Sequence, residues 1–234
     1  MLSFFFDLHP FDRKLAIEVL EIIISGQELD LQRFANASAS NIVALRTDAE
    51  LDDYAYRVAG CVGEFWTKMC RTHLFPNPKL DGVFLLTNGV RFGKGLQLVN
   101  ILRDLPVDLR KGRCYLPIEK LSAAGLSPMH LLSSANEKRF RPLYDSYLSL
   151  AQKHLEAGWE YTNALPRGCV RVRLACAWPI LIGVKTLAKL QMANVLDPER
   201  QIKVSRAEVR QIIWRTAFCY PFPGLWQKLI GRMS

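Results

Sequence analysis

Gln97, Asn100, Asp104 and Asp108 follow one another at intervals of three, four and four positions, the spacing that stacks side chains along one face of an α-helix. Leu98, Val99, Ile101 and Leu102 fill the remaining surface, so a buried helix with one polar seam is expected. An unpaired carboxylate in such a place is costly, and two acids beside an amide oxygen call for a cation to balance them. A ligand set made only of oxygens suits Mg²⁺ better than zinc or copper. Asn100, Asp104 and Asp108 are the candidate metal ligands.

Acids four apart more often line a solvated helix face. What sets this pair apart is its company: Gln97 and Asn100 on the same stripe, Arg103 beside it, and Arg110, Lys111 and Arg113 just beyond. Carboxylates, magnesium and guanidinium groups together make a pyrophosphate site. Pro106 lies between the acids, lacks a backbone donor, and is expected to kink or end the helix nearby.

A second block, YAYRVAGCVGEFW from Tyr54 to Trp66, carries slender residues at Val58, Ala59, Gly60, Val62 and Gly63. Such a surface lets another helix, or an apolar chain, approach the backbone closely, and helix packing alone accounts for it equally well.

The run GKGLQLVNILRDLPVDLRKGRCYLP, from Gly93 to Pro117, resembles the second aspartate-rich motif of the squalene/phytoene synthases, the head-to-head trans-prenyltransferases. The block from Tyr54 resembles the same family's Y-x-x-x-V-A-G-x-V-G motif, and the likeness loosens after about Leu190. The resemblance implies an all-α isoprenoid-synthase helical bundle. It implies Mg²⁺-assisted loss of diphosphate from one prenyl diphosphate, attack on the resulting cation by the double bond of a second, and a cyclopropyl diphosphate intermediate. Squalene synthases then reduce that intermediate with NADPH, and phytoene synthases lose a proton instead. Carried onto this chain, the family places Tyr54 near the reacting carbons, Asp104 and Asp108 at the metal and the chemistry, and Gln97, Arg103 and Arg57 on the diphosphate, although a surface arginine is the plainer reading of Arg57. Condensation of two farnesyl diphosphates to squalene is the leading expectation. A phytoene or dehydrosqualene synthase is the alternative, as is a prenyl-diphosphate-binding subunit that needs a partner chain.

Members of the family carry a first aspartate-rich motif well upstream of the tyrosine block. The residues before Tyr54 match the family's middle segment instead, through GQELDLQRF and TDAELDDYAYRVAG. Asp48, Asp52 and Asp53 read as the acids of a helix N-terminus. Relative to the family, one or two N-terminal helices and half of the metal ligands are therefore expected to be missing, through a misassigned start, a truncation, a split gene or degeneration.

At 234 residues and 50% hydrophobic content the chain is expected to fold as one domain over residues 1–234. Leu15, Val19, Ile22 and Ile23 share one helical face, and Tyr144, Tyr147, Leu148, Ala151, Leu155 and Trp159 another. Proline and glycine at Pro76 to Pro78, Gly125 to Pro128 and Pro166 to Gly168 mark connections. The net charge of +9 suits an anionic partner, but the basic residues are scattered without a nucleic-acid motif, so nucleic acid is not expected.

Leu174 to Val184 is too short and proline-broken to span a bilayer, which takes ~20 residues, and MLSFFFDLHP lacks the run of a secretory signal. A cytoplasmic protein is the expectation. The tail FCYPFPGLWQKLIGRMS, with Lys228 and Arg232, either packs on the core or meets a membrane surface peripherally. The six cysteines are expected to be reduced core thiols, and the four histidines show no metal spacing. Trp66, Trp159, Trp178 and Trp214 suit either an apolar tunnel or ordinary packing.

Overall fold

The structure, a computed structural model, describes residues 7–76, 79–197 and 202–232. The hydrophobic start MLSFFF, Asn77 and Pro78 of the first expected connection, and Met233 and Ser234 lie outside the described residues.

The described residues are predominantly helical, as the residue periodicities suggest. Helix α1 spans Pro10–Arg33, α2 Asp48–Ala55, α3 Cys61–His73, α4 Gly82–Arg110, α5 Ile118–Ala123, α6 Glu137–Ala164, α7 Val170–Gln191, α8 Arg206–Cys219 and α9 Pro223–Gln227. A π-helical turn, Tyr56–Gly60, joins α2 to α3. Two strands, β1 (Val43–Ala44) and β2 (Arg113–Cys114), pair in parallel with Val43 opposite Arg113.

The core lies where α4 and α6 pack along their lengths, with α7 against both. The stripe expected on α6 is buried throughout, from Tyr144 to Trp159. On α1, Leu15 and Val19 are buried, whereas Ile22 and Ile23 are half-buried. Asp48, Asp52 and Asp53 sit on α2 behind the N-cap Thr47, whose hydroxyl accepts from the Glu50 amide at 3.3 Å. They are spent on neighbours: Asp48 accepts from Tyr147 at 2.7 Å, Asp52 from Lys94 at 2.7 Å and Asp53 from Arg57 at 2.9 Å.

Helix α4 runs through Pro106 to Arg110 rather than ending at the proline. Proline at 106 takes away the amide that would bond the Leu102 carbonyl four residues earlier. The hydroxyl of Tyr144, fully buried on α6, donates to that carbonyl at 3.0 Å and replaces the missing donor. Asp108 thereby stays on the same helix as Asp104.

The glycines of the tyrosine block let backbone meet backbone. A Cβ on Gly63 would lie 1.9 Å from the Gly89 carbonyl oxygen, and one on Gly93 would lie 2.2 Å from that of Ala59. Gly112 ends α4 in the left-handed region, with φ +80°, and a Cβ there would meet the Ser38 backbone at 2.3 Å. That reversal sends β2 back beside β1 and returns Tyr115 toward α1.

All six cysteines are free, five of them buried. Leu174 to Val184 lies within α7, and among the described residues no helix is long and apolar enough to cross a membrane.

Candidate active site

Burial pushes the Asp108 carboxyl above its ordinary pKa; Lys111 opposes this, Asp104 adds to it, Arg113 opposes and Asp30 adds. Those neighbours mark out the site: acids from α1 and α4 meet bases from the turn that follows α4. Asp104, one turn before Asp108, is held by its neighbour Arg103, whose Nε donates to Oδ1 at 2.8 Å and whose terminal nitrogen donates to Oδ2 at 2.6 Å. This bond is the main reason the Arg103 pKa is raised.

Tyr54 stacks on Tyr115 with ring centroids 4.7 Å apart. Burial raises the Tyr54 pKa, the Tyr115 hydroxyl partly offsets it, and the charges of Asp30 and Asp108 raise it further. Tyr54 is thus near enough to Asp108 to feel its charge. The Tyr115 hydroxyl donates to Asp30 Oδ2 at 3.2 Å, and Arg113 donates to the same oxygen at 3.3 Å. Asp30 Oδ1 is buried with no hydrogen-bond partner among the described residues, and burial raises the Asp30 pKa despite Tyr115, Arg113 and Arg33.

Gln97 and Asn100 share α4 with both acids, Gln97 half-buried and Asn100 exposed. Arg57 lies in the π-helical turn, where Nε bonds Asp53 and a terminal nitrogen donates to Ser25 Oγ at 2.9 Å, tying α2 to α1. The basic run after α4 divides: Arg110 donates to the Pro106 carbonyl, Lys111 faces Asp108, and Arg113 serves Asp30.

Among the described residues no group of three or more histidine, cysteine or acid side chains is arranged to hold a metal ion. Magnesium commonly takes only one or two carboxylates and completes its shell with water and phosphate oxygens. The donor chemistry fits that mode: Asp108 and Asp30 carry raised pKa values in an acid-rich corner, and Asp30 Oδ1 lacks a partner. Asp104 can take part once it exchanges Arg103.

A cavity of about 360 Å³ opens along the same helices, lined by Val58, Ala59, Val62, Gly63, Trp66, Phe92, Leu96 and Tyr161 among others. Of the four tryptophans that suited either a tunnel or ordinary packing, Trp66 lines the cavity. Trp159 stacks on Trp226 at 5.2 Å, Trp178 donates to Thr216 at 2.9 Å, and Trp214 lies outside at 76% exposure. Leu96 and Asp104 are eight residues apart on α4, about 12 Å at the helical rise, so one helix carries both an apolar wall and an acidic end.

Sequence reasoning passed over Asp30 and Tyr115. Tyr115 stood in plain view two residues past Arg113. Asp30 is one of two acids in the GQELDL segment, set between Leu29 and Leu31, and its hydrogen-bond partners lie more than eighty positions away.

A helical bundle in which one helix carries both the wall of an apolar cavity and a pair of acids has the architecture of an isoprenoid synthase. The squalene/phytoene synthase family model matches residues 7–208, and the chain belongs to that family of head-to-head prenyltransferases. It is 30% identical over 212 residues to the bifunctional lycopene cyclase/phytoene synthase of Pyrenophora tritici-repentis, covering 87% of this chain and 33% of that protein. It is 31% identical over 203 residues to the presqualene diphosphate synthase of Rhodopseudomonas palustris, covering 86% and 65%. With the 15-cis-phytoene synthase of Synechocystis sp. the identity is 31% over 170 residues, covering 71% and 46%. The chain thus spans a third to two thirds of the length of these relatives. Two solved structures share the fold: TcSQS with the ligand BPH1237, at TM-score 0.73 and 19% identity over 94% of this chain and 60% of that one, and a dehydrosqualene synthase in complex with ligand, at 0.66 and 22% over 88% and 66%.

Proposed function

We propose that this chain binds prenyl diphosphates with the diphosphate at Asp104, Asp108 and Arg103 and the hydrocarbon in the cavity, and that it condenses two farnesyl diphosphates head to head, through presqualene diphosphate, to squalene. The observation that carries the reading is the arrangement along α4, where the apolar wall at Leu96 and the acids at Asp104 and Asp108 share one helix.

When bound, magnesium supplies Lewis-acid charge for the departing diphosphate. The protein's own part is to hold and to shield. Arg103 is free to leave Asp104 for a phosphate oxygen, a charge-assisted bond of the same kind. Tyr54, four residues before the cavity-lining Val58, stacks on Tyr115, and π faces of this kind can stabilise positive charge on carbon. Tyr115, fixed by Asp30, holds its hydroxyl proton firmly, its pKa being raised by burial and by its neighbours. NADPH is required only where squalene is the product.

Relatives named for phytoene and for presqualene diphosphate support the shared condensation and leave a phytoene, dehydrosqualene or presqualene diphosphate product as the alternative. A partner-dependent prenyl-diphosphate-binding subunit has its own support. Ile17, Leu20, Ile24 and Leu31 on α1 are 41–65% exposed and follow one another on one helix face, as though a further helix covered them.

Incubation with farnesyl diphosphate, Mg²⁺ and NADPH, followed by mass spectrometry of the extracted lipids, tests the reading. Squalene is the expected product. Folded chain that binds substrate without turnover would support the partner-dependent subunit, and folded chain that binds no prenyl diphosphate would overturn both.

A further inference from the structure

Arg206, Arg210, Trp214 and Phe218 follow one another every fourth residue along α8, so they lie in one line on the helix face. Trp214 is 76% exposed and Phe218 71%, and Phe222, just past the helix, is 51% exposed with its ring 6.1 Å from that of Phe218. The tail that follows packs inward instead: Trp226 and Leu229 are buried, and Trp226 donates to Asn163 at 2.8 Å. The tail therefore divides, with its inner aromatics in the core and its outer ones in solvent.

The opposite face of α8 accounts for its place in the fold. Ile212, Thr216 and Cys219 are buried against α7. Glu208 is the one acid of α8, and it is turned to Lys189 at 2.6 Å and to the Ser205 amide at 2.8 Å, bonds that hold its pKa down at about 2. The outer face is left with cations alone. Among the described residues Arg206 and Arg210, both exposed, have no ion-pair partner. Arg206 also sits in the first turn, where the helix dipole disfavours a cation. Packing gives no reason for that arrangement.

We infer that this face of α8, with Phe222, docks on an anionic lipid bilayer. Aromatic side chains favour the depth of the headgroups, and arginines in line with them meet lipid phosphates. A second copy of the chain fits badly, because a two-fold contact would set these uncompensated cations against themselves. The helix would lie on the surface rather than cross it. The inference stands independently of the reaction, since it is read from binding alone.

Co-sedimentation of the full chain with vesicles of phosphatidylcholine, and with phosphatidylcholine mixed with phosphatidylglycerol, tests it. Binding is expected to the mixed vesicles and to fall with salt. Arg206→Gln with Arg210→Gln should lower the partition about thirtyfold. Trp214→Ser with Phe218→Ser should abolish binding while the thermal midpoint is kept. Should the serine variant not fold, quenching of Trp214 by bromine-labelled lipid in the unaltered chain, read against Trp214→Phe, reports the same contact. No sedimentation with anionic vesicles, binding indifferent to both variant pairs, or self-association relieved by Trp214→Ser without vesicle binding would each overturn it.

Discussion

The Tyr144 hydroxyl donates to the Leu102 carbonyl at 3.0 Å, in the place of the amide that Pro106 lacks. One buried phenol on α6 thus completes the turn of α4 that links Asp104 to Asp108. Tyr144→Phe should leave that carbonyl bare and cost about 1–3 kcal/mol in chemical denaturation. In a Pro106→Ala background, where residue 106 regains its amide, the same change should cost less. Equal costs in the two backgrounds would show that the hydroxyl does not stand in for the amide.

Gly63 should tolerate no side chain. A methyl group there would lie 1.9 Å from the Gly89 carbonyl oxygen, so Gly63→Ala must push α3 from α4 and should destabilise by about 1–3 kcal/mol. Gly168 meets nothing within 4 Å, and Gly168→Ala, in the connection between α6 and α7, should be close to neutral. Thermal unfolding of the two variants makes the comparison.

Asp30 and Asp108 both have folded pKa values raised by burial. A carboxyl so raised holds its proton more tightly folded than unfolded. Its favourable contribution is full below the ordinary carboxylate pKa and is lost as pH climbs through the folded value. Asp108→Asn should therefore stabilise the metal-free chain at neutral pH, and the gain should shrink toward zero in acid. A loss of stability at neutral pH would mean that Asp108 is held by a favourable partner instead.

The cavity and the acids should be separable. Val62, which lines the cavity and is 42% exposed, offers room for enlargement. Val62→Phe should weaken farnesyl diphosphate binding while leaving inorganic pyrophosphate binding unchanged by calorimetry. Equal weakening of both would place the hydrocarbon elsewhere.

Much of this was legible in the residues. The periodicity on α4 and α6 and the proline and glycine breaks gave the bundle, because those signals are local. The slender residues around Gly63 announced a close approach, and the structure shows both helix packing and a cavity wall there. The π-helical turn after Ala55 has no compositional mark. Asp30 could not be placed because Tyr115 and Arg113 reach it only after Gly112 reverses the chain. Of the two outcomes expected at Pro106, a kink or an end, the end does not occur, because the remedy, Tyr144, lies on another helix. Trp214, read as either tunnel or packing, is in neither place, because periodicity assigns a residue to a face and not what that face meets.

The most direct test of the central claim is calorimetric titration of farnesyl diphosphate into the folded chain and into Asp104→Asn, each with and without Mg²⁺. Binding that requires Mg²⁺ and is lost in Asp104→Asn is the expected result. Binding of equal strength without the metal, or undiminished in Asp104→Asn, would contradict a diphosphate site on the acidic end of α4.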